Sequence, residues 1–170
     1  MKLSRLIQGL SLEDHVGRDV EITSLTCDTR TLVPGALFAA FPGSRQDGGR
    51  FIAQALAHGA AAVLFQDPPP FPGPWLIAPD AREIFGLMTC RWFQGPAVDM
   101  TRLGVTGTNG KTTTTYLLRS VLEQVCGAKV GLIGTNQNLV GEARLPAERT
   151  TPDAYSLQAL LARMNREGCT

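Results

Sequence analysis

Apolar and polar positions alternate through "VEITSLTCDTR" (20–30) up to a turn at "TLVPG", and "ALFAAFPG" (36–43) follows as a short buried strand ended by Pro42 and Gly43. In "GGRFIAQALAHGA" the apolar positions take helical spacing at Phe51, Ile52, Ala55 and Leu56, and the helix stops at Gly59 before the apolar run "AAVLF". This pattern predicts a strand–helix–strand unit. The stretch "QDPPPFPGP" carries five prolines, which forbid a regular ladder or helix, so it reads as a surface loop before the strand "WLIA". A P-x-x-P ligand segment is the alternative for that stretch. Asp80 then caps a helix, "AREIFGLMTCRWFQ", expected to end near Gly95 and Pro96.

The pattern restarts at "MTRLGVTG" (100–107), an expected strand. It continues with a glycine turn, a helix from about Lys111 to Cys126, a strand in "KVGLIGT", a polar loop and a helix from about Asp153 to Glu167. A boundary is expected near residues 96–99, giving domains of 1–97 and 98–170. The second domain reads as incomplete, because a parallel sheet buried on both faces normally has more than the two strands found here. The expected fold class is therefore α/β: a small α/β domain followed by an incomplete parallel α/β domain. The 170 residues read as a fragment.

Charge narrows the partners. Sixteen Lys and Arg against fifteen Asp and Glu leave a formal net charge of +1, so no global field favours nucleic acid or a membrane surface, and any anion must be bound locally. No apolar run approaches the ~20 residues needed to span a bilayer, and "MKLSRLIQGLSLED" lacks the apolar core of a leader, so a cytoplasmic protein is expected. Cys27, Cys90, Cys126 and Cys169 form no C-x-x-C pair and the two histidines, His15 and His58, no ligand cluster, which argues against a structural metal or a disulfide framework. His58 with Gly59 is expected to end a helix, with no chemistry of its own.

"GVTGTNGKTTTTYLL" (104–118) concentrates the chemistry. A triphosphate needs a ring of donors free of side chains, positive charge and a place for magnesium. Gly107 and Gly110 let the backbone turn its N–H groups inward, with Thr108 and Asn109 between them, and the helix starting at Lys111 aims its positive end at the phosphates. Lys111 can reach the β and γ phosphates, the Thr112 hydroxyl can ligate Mg²⁺, and Thr113 lies at the edge of the site. The strict pattern G-x-x-x-x-G-K-[ST] fails at one position, where Val105 stands in place of glycine. The remaining threonines are expected to be helix surface and packing.

With these residues in view, the chain resembles the ATP-dependent Mur ligases of peptidoglycan synthesis, in which T-G-T-N-G-K-T is the nucleotide loop. "CDTRTLVPGALFAAFPG" and "DGGRFIAQALAHGAAAVLF" look like the uridine-binding N-terminal domain of that family. "GLIGT" and "ERTTPDAYSLQALLARMNREGCT" look like the branch that adds the third residue of the peptide. The resemblance implies a UDP-binding domain followed by a P-loop-type ATPase domain. The implied reaction adds diaminopimelate or lysine to UDP-N-acetylmuramoyl-L-alanyl-D-glutamate. In it a carboxylate attacks the γ-phosphate of ATP to give an acyl phosphate, and the amine of the diamino acid displaces phosphate.

By the same resemblance, UDP is held through Cys27 and Thr29 and through Ser44, Arg45 and Gln46, while Thr150 and Thr151 bind the muramoyl-peptide part. Some relatives carry Ser at the position of Thr29, His-Gln at Ser44–Arg45 and Asn at Arg149. Read without the family, "CDTR" is a simple turn with Asp28 pairing Arg30, and Thr-Thr-Pro-Asp is a helix start with a threonine cap and Pro152 in the first turn. Lys111 and Thr112 are the implied catalytic residues, ATP and Mg²⁺ the implied cofactors, and a monomer the family's usual state. The family's acidic metal ligand, carbamylated lysine and C-terminal domain are expected beyond Thr170, so the 170 residues alone are not expected to turn over. The alternatives are the ligase that adds D-alanyl-D-alanine, which should carry an Asn-Asn loop in place of "GLIGT" and "RTTPD", and a noncatalytic module that binds a UDP-sugar or nucleotide.

Overall fold

Apolar runs separated by helices and loops build a largely parallel sheet, because each connection carries the chain back to start the next strand in the same direction. The structure, a computed structural model, describes residues 1–42, 47–67, 71–147 and 149–170. Contacts divide it into two units, Met1–Trp92 and Phe93–Thr170. In the first, β2 (Leu25–Thr26), β3 (Leu37–Ala39), β4 (Ala62–Phe65) and β5 (Trp75–Ile77) run parallel, and β1 (Glu13–Asp14) pairs antiparallel with β5. The spatial order is β1–β5–β4–β3–β2, with Leu37 in register with both Leu25 and Ala62, and Val63 with Trp75.

Both faces of this sheet are covered, which explains why its strands are continuously apolar. Phe38, Val63, Phe65 and Trp75 gather with Ile52 and Ala55 of α2 (Ile52–Ala57) in one buried cluster. Alternation sends Leu37, Leu64 and Leu76, all fully buried, to the opposite face. Helix α3 (Ala81–Trp92) packs against β3 and β4, and α1 (Leu3–Ile7) packs on α3. Asp80 caps α3 as expected, accepting the Glu83 amide at 2.8 Å. At the end of α2, His58 Nδ1 lies 2.7 Å from the Gln54 carbonyl and Gly59 adopts φ +84°.

Only Leu25–Thr26 of the alternating stretch at 20–30 joins the sheet. Its first residues pair instead with the beginning of the chain: the Leu3 amide donates to Val20 O at 2.9 Å and the Ile22 amide to Met1 O at 2.8 Å. Nearby, the Ser4 amide donates to Asp19 and holds its carboxyl below the ordinary aspartate range. That contact is intact at neutral pH and is lost as the pH falls through the lowered pKa.

The second unit contains α4 (Lys111–Cys126), β6 (Gly131–Leu132), β7 (Gln137–Val140), β8 (Ala143–Pro146) and α5 (Ala154–Arg166). Helix α4 has the expected bounds, but the strand expected at 100–107 joins no ladder. A strand takes its hydrogen bonds from neighbours, and the expected parallel partner supplies only Gly131–Leu132, which pair antiparallel with β7. The expected polar loop is instead a hairpin, with Val140 opposite Ala143 around Gly141 and Glu142. Gly141 at φ +55° permits that two-residue turn.

Val140, Met164 and Cys169 form the centre of this unit, with Ile133, Leu145 and Leu161 around them. Residues 93–97 belong here too: Phe93 meets Tyr155 edge-on with ring centroids 5.2 Å apart, and Asn165 Nδ2 donates to Pro96 O at 2.6 Å. The Gly95–Pro96 break thus lies inside the second unit. Helix α4 buries no residue among those described, and Leu117, Val121 and Val125 are exposed. No helix among the described residues is long and apolar enough to cross a membrane.

Candidate functional site

The glycine turn leads directly into α4. Gly107 has φ +143° and Gly110, at the cap position, φ +79°, both in the region where a side chain strains the backbone. Added side-chain carbons would meet nothing nearer than 3.7 Å at Gly107 and nothing within 4 Å at Gly110, so it is the backbone conformation, not crowding, that demands glycine. The first helical bond runs from the Thr114 amide to Gly110 O at 2.9 Å. The amides of Lys111, Thr112 and Thr113 are therefore without intrahelical carbonyl partners, and they carry the positive end of the helix dipole.

Lys111 folds back over this turn. Its ammonium donates to Gly107 O at 2.5 Å and to Thr108 O at 3.2 Å, so the positive charge is held above the loop that contains Thr108 and Asn109. Thr112 is half-buried, while Thr113 and Thr114 are exposed. Thr115 uses its hydroxyl within the helix, donating to Thr112 O at 2.8 Å. The turn thus combines one cation, free amides and a hydroxyl in a few consecutive residues.

A second group of sequence-selected residues lies at the carboxyl ends of β2 and β3, which point the same way. After β2, exposed Cys27 leads into a 3-10 turn, Thr29–Thr31. Asp28 organises it, accepting the Arg30 amide at 2.9 Å and Arg30 Nη2 at 2.6 Å, while Thr26 and Thr31 share a hydroxyl bond of 2.7 Å. The Asp28–Arg30 pairing read from the turn sequence is present, and Thr29 stands half-buried at the turn's first position. Ser44, Arg45 and Gln46 lie outside the described residues. Their neighbours Phe41, Pro42, Asp47 and Gly48 follow β3 at the same edge of the sheet.

A third group assembles before α5. Thr135 of "GLIGT" donates its hydroxyl to that of Thr150 at 3.2 Å, joining two segments 15 residues apart, and Thr150 and Thr151 are both exposed. The helix cap is not a threonine. Asp153 holds that place, accepting the Ser156 amide at 2.9 Å and its hydroxyl at 3.1 Å, with Pro152 just outside the helix. A carboxylate bonds the exposed amide more strongly than a hydroxyl does, so Asp153 wins the competition. Asp153→Ala should cost about 1 kcal/mol, read from the urea midpoint of the second unit. No loss there would remove Asp153 as the cap.

The sequence reading did not single out Asn138 or Tyr116. Asn138, on the buried face of β7, accepts the Gly134 amide and donates to Pro146 O, both at 3.3 Å. It thereby ties "GLIGT" to the strand that leads to the threonine pair. Gln137 Nε2 donates to the Tyr116 hydroxyl at 2.8 Å, linking β7 to α4. The available signal was the two-residue Gly141–Glu142 turn between apolar runs, which would have placed Asn138 on an inward face. Arg149 lines a pocket of about 310 Å³ with Asn138, Pro152, Asp153 and Ser156.

Two matches to known families fall on these features: the Mur ligase family, catalytic domain, over residues 21–81, and the Mur ligase middle domain over residues 105–170. The chain is 42% identical to a UDP-N-acetylmuramoyl-L-alanyl-D-glutamate–2,6-diaminopimelate ligase of Chlorobium phaeobacteroides, covering 100% of the chain and 34% of the relative. It is 36% identical to the ligase of the same name from Caldanaerobacter subterraneus subsp. tengcongensis, covering 99% of the chain and 35% of that relative. A solved structure of a ligase of that name superposes with a TM-score of 0.72 at 29% identity, over 88% of this chain and 30% of that one. The D-alanyl-D-alanyl ligase of Acinetobacter baumannii, at 22% identity and a TM-score of 0.57, shares the fold. The chain spans about a third of the length of the curated relatives it matches.

Proposed function

Because this chain belongs to the Mur ligase family, we propose that it carries the two nucleotide sites of an ATP-dependent ligase acting on UDP-N-acetylmuramoyl-L-alanyl-D-glutamate. The sugar nucleotide belongs to the first unit, Met1–Trp92, and ATP to the second, Phe93–Thr170. The relatives reported above are diaminopimelate ligases by name, and diaminopimelate is accordingly the third residue we assign. The reaction belongs in the cytoplasm, with the chain a monomer.

The observation that carries this reading is the loop at Gly107–Gly110, with Lys111 folded across it and the open amides of α4 beside it. The donor set fits a triphosphate: backbone amides bind phosphate oxygens, the Lys111 ammonium offsets charge at the β and γ phosphates, and Thr108, Asn109 and Thr113 border the loop. No cluster of three or more acidic, His or Cys side chains suited to a metal exists among the described residues. Within the loop, the Thr112 hydroxyl is the ligand assigned to Mg²⁺, whose usual coordination is completed by phosphate oxygens and water. When bound, Mg²⁺ neutralises charge on the phosphoryl group in transfer to the glutamate carboxylate. Lys111 assists from the loop by placing its positive charge beside the same group.

Thr29, at the head of its 3-10 turn beside Cys27, supplies a hydroxyl for the UDP moiety, and Ser44, Arg45 and Gln46 supply donors from the segment after β3. Thr150 and Thr151 serve the muramoyl-peptide part. Calorimetric titration of the chain with UDP-N-acetylmuramoyl-L-alanyl-D-glutamate tests the assignment. Thr29→Ala should weaken binding about tenfold, the worth of one hydrogen bond to a charged group. A folded chain that releases no binding heat, or a Thr29→Ala chain that binds as the unchanged protein does, would sink it.

A further inference from the structure

The hairpin of β7 and β8 opens toward the threonines assigned to the muramoyl-peptide part. Its last rung pairs Gln137 with Pro146. Beyond that rung the two strands run on to Thr135 and Thr150, two and four residues further, where the hydroxyls meet at 3.2 Å. Whatever holds Gln137 in place therefore helps to set where this threonine pair stands.

Gln137 is held by α4, its Nε2 donating to the Tyr116 hydroxyl at 2.8 Å. Thr112 stands one turn before Tyr116 on the same face of the helix, and Arg119 and Glu123 continue that stripe at helical spacing. Arg119 Nη2 donates to Gly141 O at 2.9 Å and its Nε to Glu123 at 2.7 Å, so the closed end of the hairpin is fastened to the same stripe. The earlier helical residue meets the earlier strand residue. Helix α4 and β7 thus advance together, and the segment before Gln137 is carried back toward the helix start at Lys111. No residue of α4 is buried, so close packing does not fix its distance from the hairpin, and these directional bonds do.

We infer that Tyr116 and Gln137 are positioning residues: their bond holds the open end of the hairpin, with Thr135, Thr150 and the adjoining Thr151, at the phosphate end of α4. The inference rests on the assignment of ATP to the glycine turn and of the threonines to the muramoyl-peptide part. A carboxylate that attacks a γ-phosphate must be bound within reach of it. A hairpin free to swing away from the helix would have to be ordered at each encounter, at a cost in affinity, so the bond contributes to binding without touching the ligand.

Tyr116→Phe, Gln137→Met and the double variant test this by calorimetry with UDP-N-acetylmuramoyl-L-alanyl-D-glutamate, with UDP alone and Mg-ATP as the other ligands. Each single change should weaken the full sugar nucleotide about threefold to tenfold, the worth of one hydrogen bond. The double variant should bind no more weakly than the weaker single one, because both changes break the same bond. Affinity for UDP, affinity for Mg-ATP and the far-UV spectrum should not move, which a general loosening of the fold would not allow. Four results would overturn the inference: Tyr116→Phe binding the full sugar nucleotide at unchanged affinity; one single change having an effect and the other none, which would make the sensitive residue a direct ligand contact; additive losses; or a loss shared by UDP, by Mg-ATP or by the folded signal. An unchanged chain that binds the full sugar nucleotide no more tightly than UDP would instead overturn the assignment of Thr150 and Thr151, and this inference with it.

Discussion

Lys111→Ala should weaken Mg-ATP binding by about 10- to 100-fold, the range expected when a charged hydrogen-bonding partner of a phosphate is removed. The ammonium acts twice. It supplies the positive charge of the loop, and it bonds the carbonyls of Gly107 and Thr108, which helps hold the turn in a shape with both flanking glycines at positive φ. Lys111→Arg should recover little, since a planar guanidinium is a poor substitute for a point charge fitted to two carbonyls on one small turn. Sugar-nucleotide binding should be unaffected. Titration with Mg-ATP checks this, and an affinity within twofold of the unchanged chain would remove Lys111 from the site.

Phe38→Ala should destabilise the first unit by about 3–5 kcal/mol, the usual cost of truncating a fully buried aromatic residue. Phe38 is 1% exposed in β3, between β2 and β4, where it joins Val63, Phe65, Trp75 and Ile52 in one cluster. The ring projects from the sheet face into the cluster under α2, so its removal leaves a cavity among Val63, Phe65, Trp75 and Ile52. The loss should appear as a lower urea midpoint for unfolding of the first unit, together with loss of sugar-nucleotide binding. A change below about 1 kcal/mol would mean that the cluster is not the core of this unit.

Residues whose role is local were legible in the sequence. The bounds of α4, the Asp80 cap and the His58–Gly59 helix end follow from spacing and capping chemistry within a few residues of one another. What depended on distant partners was not. The stretch 100–107 has the apolar content of a strand but joins no ladder, because apolar content signals burial and does not name a neighbour. The stretch at 20–30 lost its first half to pairing with the start of the chain. Asp153 displaced the threonines as cap because the carboxylate is the stronger acceptor, a competition that spacing alone leaves open.

The candidate sites divide in the same way. The glycine turn, Lys111 and Thr112 are contiguous, so the sequence could place them on one helix start. The Thr135–Thr150 bond and the Asn138–Pro146 tie join residues 15 and 8 positions apart, and they required the folded chain. The Asp28–Arg30 pairing was legible because it spans two residues. It sets the turn on which Thr29 sits, so the plain turn and the proposed binding residue occupy the same few positions without conflict.

The most direct test of two separate nucleotide sites is a crossed titration. The unchanged chain, Lys111→Ala and Thr29→Ala are each titrated with Mg-ATP and with UDP-N-acetylmuramoyl-L-alanyl-D-glutamate. Both ligands should bind the unchanged chain with one-to-one stoichiometry, Lys111→Ala should lose only Mg-ATP, and Thr29→Ala should weaken only the sugar nucleotide. Either substitution weakening both ligands alike, or a folded chain that binds neither, would contradict two separate sites.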